Sequence, residues 1–236
     1  GLSLTTADLR QLGADGRATF LFRPREEPSE AAWAYIEAGK TAGVDLAYKC
    51  RVRRPWWRVP LVRPADLLLT YMNADTPRLS TNSAGAHHLN SVHGVYLRAE
   101  LQQLGRSWLP LGSLNSMTLV GAETVGRAYG GGMLKLEPRE ADRLPVPSPD
   151  VLDAAAVNLT AIRPRVAAAL RTSQLETAAR LVDEVLLIGE LGLPASEVTA
   201  LQREHVSLRA RRSARGADHG NCRVFRGLAH QAADQH

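Results

Sequence analysis

LLLTYMNADTPRLST, residues Leu67–Thr81, decides how the middle of this 236-residue chain is read. Two short runs rich in Leu and Thr are split by Asn73, Asp75 and Pro77, and such a pair divided by turn formers reads as neighbouring antiparallel strands, not as a helix. The same rhythm extends outward. Tyr48–Val52 and Val92–Leu97 read as further short strands of one small sheet, with Pro, Asn, Gly and Asp between them.

Around that sheet the periodicity turns helical. Leu4–Leu12 reads as a short helix with Thr5 or Thr6 as cap and Gly13 as stop, and Ala18–Phe22 as a short strand. Ser29 is placed to cap a helix through Ala38, with Ala32, Trp33 and Ile36 at helical spacing and Gly39 as its end. Ala99–Gly126 is helical again, interrupted at Pro110 and Gly112, with Leu101, Leu104, Leu111, Leu114 and Leu119 as core. The prolyl stretch LPVPSP, Leu144–Pro149, suits neither a helix nor a central strand and reads as a domain boundary. Beyond it, Leu175, Ala178, Val182, Val185 and Ile188 form an amphipathic stripe ending at Gly189. Pro194–Arg212 gives a second helix with the stripe Val198, Leu201 and Leu208 and a basic end; weak periodicity after Ser213 predicts a loosely ordered tail. The expected class is α+β: a small antiparallel sheet with flanking helices in residues 1–149, followed by a helical segment, 150–236.

Composition bounds the function. With 44% hydrophobic and 22% charged residues, the chain has the make-up of a folded globular protein. No apolar run approaches a membrane span, Gly1–Arg10 has no signal-peptide pattern, and a soluble, cytoplasmic protein without a membrane partner is expected. A chain opening on Gly1 instead of Met leads us to expect a processed product or a fragment. Cys50 and Cys222 are far apart and outside any CxxC pair, so they read as reduced thiols.

Charge is more informative. Lys and Arg number 29 against 24 Asp and Glu, for a net charge of +5, and only Lys40, Lys49 and Lys135 are lysines. A GC-rich genome would give that arginine bias without function. The charges are nonetheless clustered: Val44–Arg63 and Arg203–Arg226 each carry +5. Two basic patches on an otherwise acidic body form a directed field, and arginine forks suit phosphate oxygens and the guanine edge. Nucleic acid is the first partner to consider.

YKCRVRRPWWR, Tyr48–Arg58, interleaves five cations with three aromatics. As a strand it would gather Lys49, Arg51 and Arg53 on one face, with Arg54 and Arg58 beside them, and at most one of Trp56 and Trp57 would join the core, leaving the other to stack on a base, sugar or guanidinium. A basic strand edge that prevents aggregation is the competing reading. NSAGAHHLNSVH, Asn82–His93, offers Asn82, His87, His88 and Asn90 for base edges or phosphates, or is a plain polar loop. Its three histidines have no neighbouring thiol or carboxylate, so no metal is expected. GRAYGGGMLKLEP, Gly126–Pro138, lacks either phosphate-loop spacing. Its three glycines let backbone approach a large anion framed by Arg127, Tyr129 and Lys135, or form a flexible hairpin. No nucleophile, zinc-protease or paired-carboxylate pattern appears, so no catalytic residue is assigned.

In order, Asn115-Ser116, GRAYGGGMLKLEP and Leu144-Pro-Val-Pro147 resemble the C-terminal target-recognition region of bacterial N6-adenine-specific DNA methyltransferases of restriction-modification and phage-defence systems. The resemblance covers roughly residues 40–150 and extends to the YKCRVRRPWW stretch and the Asn82 and Asn90 region. It implies double-stranded DNA as partner. It also implies S-adenosylmethionine, held by a catalytic domain joined in cis or in trans. This chain has no Pro-Pro dipeptide and no FxGxG string, so neither the cofactor loop nor the Asn/Asp-Pro-Pro-aromatic motif of that domain is present and no cofactor is expected on the chain itself. The competing expectation is an interaction module whose amphipathic C-terminal helices dock a partner protein while its basic patches confer solubility.

Overall fold

The computed structural model describes the backbone of residues 1–231 and the side chains of residues 1–215. They fall into two compact units, Thr6–Arg63, and Gly1–Thr5 with the chain from Pro64 onward.

The smaller unit contains helices α1 (Thr6–Ala14), α2 (Glu30–Thr41) and α3 (Tyr48–Arg51), joined by irregular chain and a 3₁₀ turn, Val44–Leu46. Helix α2 starts as its sequence predicts: the Ser29 hydroxyl accepts from the Ala32 amide at 3.3 Å. It passes through Gly39 and stops where Gly43 takes a left-handed φ of 73°. Two expected strands are absent. Ala18–Phe22 is irregular, and Tyr48–Val52 is mostly the helix α3, because the Cys50 and Arg51 amides bond back to the Ala47 carbonyl. At about 100° per residue, Lys49 and Arg51 then lie on nearly opposite sides, so the ridge of alternating cations expected of a strand does not form. Ile36 is the one hydrophobic side chain of this unit that is buried among the described residues.

The larger unit holds both sheets. Strand β2 (Leu67–Thr70) sits between β4 (Leu79–Asn82) and β5 (Val92–Val95), antiparallel to both, and β1 (Ser3–Leu4) runs parallel to β4 at the edge. Alternation does what the sequence indicates: Leu67 and Leu69 are buried, with Leu79 and Leu136 beside them. A second sheet orders β3 (Met72–Asn73), β7 (Met133–Lys135) and β6 (Arg127–Tyr129), with the three glycines at the β6–β7 turn.

Helices α4 (Gln102–Gly112), α5 (Ser116–Val125), α6 (Pro138–Ala141), α7 (Pro149–Ala154), α8 (Ala156–Arg171) and α9 (Leu175–Asp183) follow, the last continuing as a π-helical stretch, Glu184–Glu190, before α10 (Ala195–Gln231). The architecture is α+β. Leu111 and Leu114 share one core with Leu152, Leu159, Val166, Leu175 and Val182. The boundary expected at Leu144–Pro149 is therefore not a division between compact units, which falls at Arg63. The prolines instead pack inward: a Cβ added to Gly121 would lie 2.1 Å from Pro145. The chain beyond Ser213 continues in α10 to Gln231; of the tail expected to be loosely ordered, residues 232–236 lie outside the described residues.

Candidate functional site

The basic-aromatic stretch of the smaller unit keeps its charges unneutralised. Lys49, Arg51 and Arg54 are exposed and Arg53 is half-buried, and among the described residues none of the four pairs with a carboxylate. Arg54 folds back, donating to the Arg51 and Arg53 carbonyls at 3.0 Å each, and the Lys49 ammonium lies 5.9 Å from the centre of the Tyr48 ring. Arg58 is the exception, 3.6 Å from Glu26. Both tryptophans are half-buried and have aromatic neighbours. Trp57 meets Trp33 edge-on at 5.3 Å and Trp56 at 6.2 Å, and Trp56 lies against Gly39. Both line an apolar hollow of about 470 Å³ with Phe22, Tyr35 and Arg53.

The other sequence candidates are largely engaged inside the larger unit. Asn82 is 2% exposed, and its amide braces the following loop by donating to the Ala65 and Ala86 carbonyls and accepting from the Ala86 amide, each at 2.9 Å. That use of all its polar atoms corrects its assignment to a base edge. His88 is half-buried against Gly94, where a Cβ would fall 2.3 Å from its ring, while His87 and Asn90 are exposed. His93 bonds the Leu136 carbonyl at 2.8 Å. No three His, Cys, Asp or Glu side chains of the described residues gather as a metal site.

At the glycine turn the cations are matched. Arg127 pairs with Glu140. Lys135 meets Glu137 at 2.7 Å and lies 5.2 Å from the Tyr71 ring centre and 5.0 Å from that of Tyr129. The Glu137 and Tyr71 bonds raise the Lys135 pKa further above its ordinary value, and Lys135 in turn lowers that of Glu137. Gly130 and Gly131 face open space, whereas Gly132, at φ 74°, would place a Cβ 3.0 Å from the Ser213 Cα. What the third glycine admits is helix α10 of the same chain.

Sequence reasoning missed why α10 belongs there. Arg212, read as part of a surface patch, is 2% exposed; its guanidinium donates twice to Glu123 at 2.9 Å and also to the carbonyls of Ala74, Asp75 and Gly132. Arg209 and Arg211 likewise meet Glu176 and Glu204, so the described part of the second basic patch is mostly neutralised. The Asn115-Ser116 pair has a comparable task. The Asn115 side chain caps α5 by accepting from the Thr118 amide at 2.9 Å, and the Ser116 amide and hydroxyl donate to buried Asp183 at 2.7 and 2.6 Å. Burial raises the Asp183 pKa, against the bonds from Ser116 and Gln202.

His205 on α10 is 3% exposed, and its Nε2 has no hydrogen-bond partner. Burial pushes its pKa below the ordinary imidazole value; Arg209 and Arg212 act in the same direction, and Glu123 and Glu176 against it. The unfolded chain therefore takes up this proton at higher pH than the folded one, and stability falls as pH drops below about 6.5. Asp183 works oppositely at lower pH, because its folded form binds a proton more readily. Urea unfolding at pH 7.5 and 5.5 checks the sign. The parent loses stability at pH 5.5, and His205→Leu, which keeps Asp183, loses less.

Residues 1–187 match the family model for the C-terminal domain of the type II methyltransferase M.Eco57I. The chain belongs to this family. Among curated relatives of the M.Eco57I C-terminal-domain chain, the type II methyltransferase M.XamI of Xanthomonas campestris pv. amaranthicola is 37% identical over 121 residues, 51% of this chain and 22% of that protein. Type II methyltransferase M.AccI of Acinetobacter calcoaceticus is 22% identical over 140 residues, 59% of this chain and 26% of its own. The match thus spans about a quarter of each relative's length. No solved structure matches the chain. Among the described residues no helix is long and apolar enough to cross a membrane.

Proposed function

We propose that this member of the M.Eco57I C-terminal-domain family is the double-stranded DNA target-recognition part of an S-adenosylmethionine-dependent, N6-adenine-specific methyltransferase. In this reading it works in the bacterial cytoplasm, in restriction-modification and phage defence. The observation that carries it is the group Lys49, Arg51, Arg53 and Arg54, four cations within six residues that meet no carboxylate among the described residues, in a unit with 11 basic against 7 acidic residues. Unmatched guanidinium groups retain their full attraction for phosphate, whereas those at the glycine turn spend it on Glu137 and Glu140.

The residues present do not fit the cofactor. The one parallel pairing of described strands, β1 with β4, is two residues long, and no strand leads through a glycine-rich turn into a nucleotide-binding helix. Methyl transfer is accordingly assigned to a catalytic domain in cis or in trans. Extruding the target base from the duplex takes a few kcal/mol. Phosphate contacts made by this chain on the flanking duplex would offset part of that.

A partner-docking role for the C-terminal stripe is disfavoured by its burial, since Leu175, Ala178 and Val182 already pack on Leu111 and Leu159. The test is titration of a DNA duplex in rising salt. Neutralising about six phosphates gives a slope near −5 in log K against log salt. A flat response overturns the proposal.

A further inference from the structure

Residues 6–63 bury one hydrophobic side chain, Ile36, among the described residues, yet leave exposed Phe20 (97%), Tyr35 (65%), Trp33 (43%) and others. A unit of this size ordinarily buries more than half of its unfolded surface, and contiguous exposed apolar surface marks a contact site. Here the apolar groups are gathered. The 470 Å³ hollow between Phe22, Tyr35, Trp56 and Trp57 carries one charged residue in its lining, Arg53. A second hollow of about 860 Å³ shares Leu21, Phe22 and Tyr35 with it. Aromatic residues at the centre with arginine among them is the composition of a protein–protein interface core.

We infer that this aromatic face seats the catalytic part of the methyltransferase. The inference rests on the proposal that the chain works beside such a part, and it names the surface that joins the two. Two observations choose this occupant. The matched segments are 22% and 26% of M.XamI and M.AccI, so most of each relative lies outside the region shared with this chain, and the matching family is by its description a C-terminal domain. The lining of the first hollow is also wrong for a nucleic-acid backbone, being mostly apolar with Arg53 as its one charged residue, whereas Lys49, Arg51 and Arg54 do not line it. The fitting counterpart is a segment with aliphatic or aromatic side chains.

Cys50 reports on the seat directly because it lines the hollow. Its alkylation by iodoacetamide is followed by peptide mass spectrometry without DNA, so that the result is independent of whether the chain binds a duplex. The whole 236-residue chain is compared alone and joined to, or mixed with, its methyltransferase polypeptide. The expected result is fast alkylation alone and at least tenfold slower alkylation in the complex, with Tyr35→Glu restoring the fast rate. Tyr35 is 65% exposed and its ring meets Phe22, so circular dichroism of the variant must match the parent before its fast rate counts as support. Equal rates with and without the methyltransferase polypeptide overturn the inference. So does slow alkylation of the chain alone, which at all concentrations means the chain covers the hollow itself and at high concentration only means a second copy does. A Tyr35→Glu chain that remains protected in the complex overturns it too. The salt titration tests DNA binding separately, and either result can fail without the other.

Discussion

Arg212→Met lowers the stability of the unit that holds both sheets by about 3–5 kcal/mol, the usual loss when one partner of a buried ion pair is removed. The Glu123 carboxylate is left in a site where both side chains are at most 3% exposed, and the Ala74, Asp75 and Gly132 carbonyls lose a donor. Melting followed by circular dichroism should fall by on the order of 10 °C. The double variant Arg212→Met, Glu123→Leu should recover part of the loss, because the stranded charge is gone while the carbonyls still lack their donor. Equal stability of parent and single variant would mean that α10 does not depend on this pair.

Reversing charge at Arg51, Arg53 and Arg54 together to Glu removes duplex binding in moderate salt, with affinity down by at least ~100-fold and the salt slope shallower by about 3. The effect is large because these side chains have no carboxylate partner among the described residues to release. Arg127→Gln serves as the control. Its guanidinium is already held by Glu140, so affinity should change by no more than about twofold. A triple variant that binds as the parent does would remove the basis for placing the DNA contact on this stretch. Circular dichroism of each variant separates lost binding from lost fold.

The local features of the fold were legible where one residue type has one physical task. Ser29 caps, Leu67 and Leu69 alternate into a core, and the Leu175, Ala178 and Val182 stripe is buried. Tyr48–Val52 misled because Tyr and Val favour strands, yet a strand of five residues is nothing without a neighbour to pair with, and turning back onto Ala47 satisfies the amides locally. The motifs were visible but their purpose was not. Ser116 meets Asp183 across 67 residues and Gly132 meets Arg212 across 80, separations at which no spacing rule operates. For the same reason a basic run at Arg209–Arg215 gave no sign that its central member is interior. Of the candidate site, the cations at 49–54 meet no carboxylate among the described residues but lie on or just after a short helix instead of a strand ridge, whereas Asn82 and Arg127 are engaged by Ala65 and Glu140, 17 and 13 residues away, and Lys135 by Glu137 two residues on.

The family match ends at residue 187, whereas the arginine that locks the glycine turn is at 212. Anyone exchanging this region between family members at the family's own limit would cut this hairpin away from its keystone. A crossover placed after 215 would carry the lock along with the module it closes.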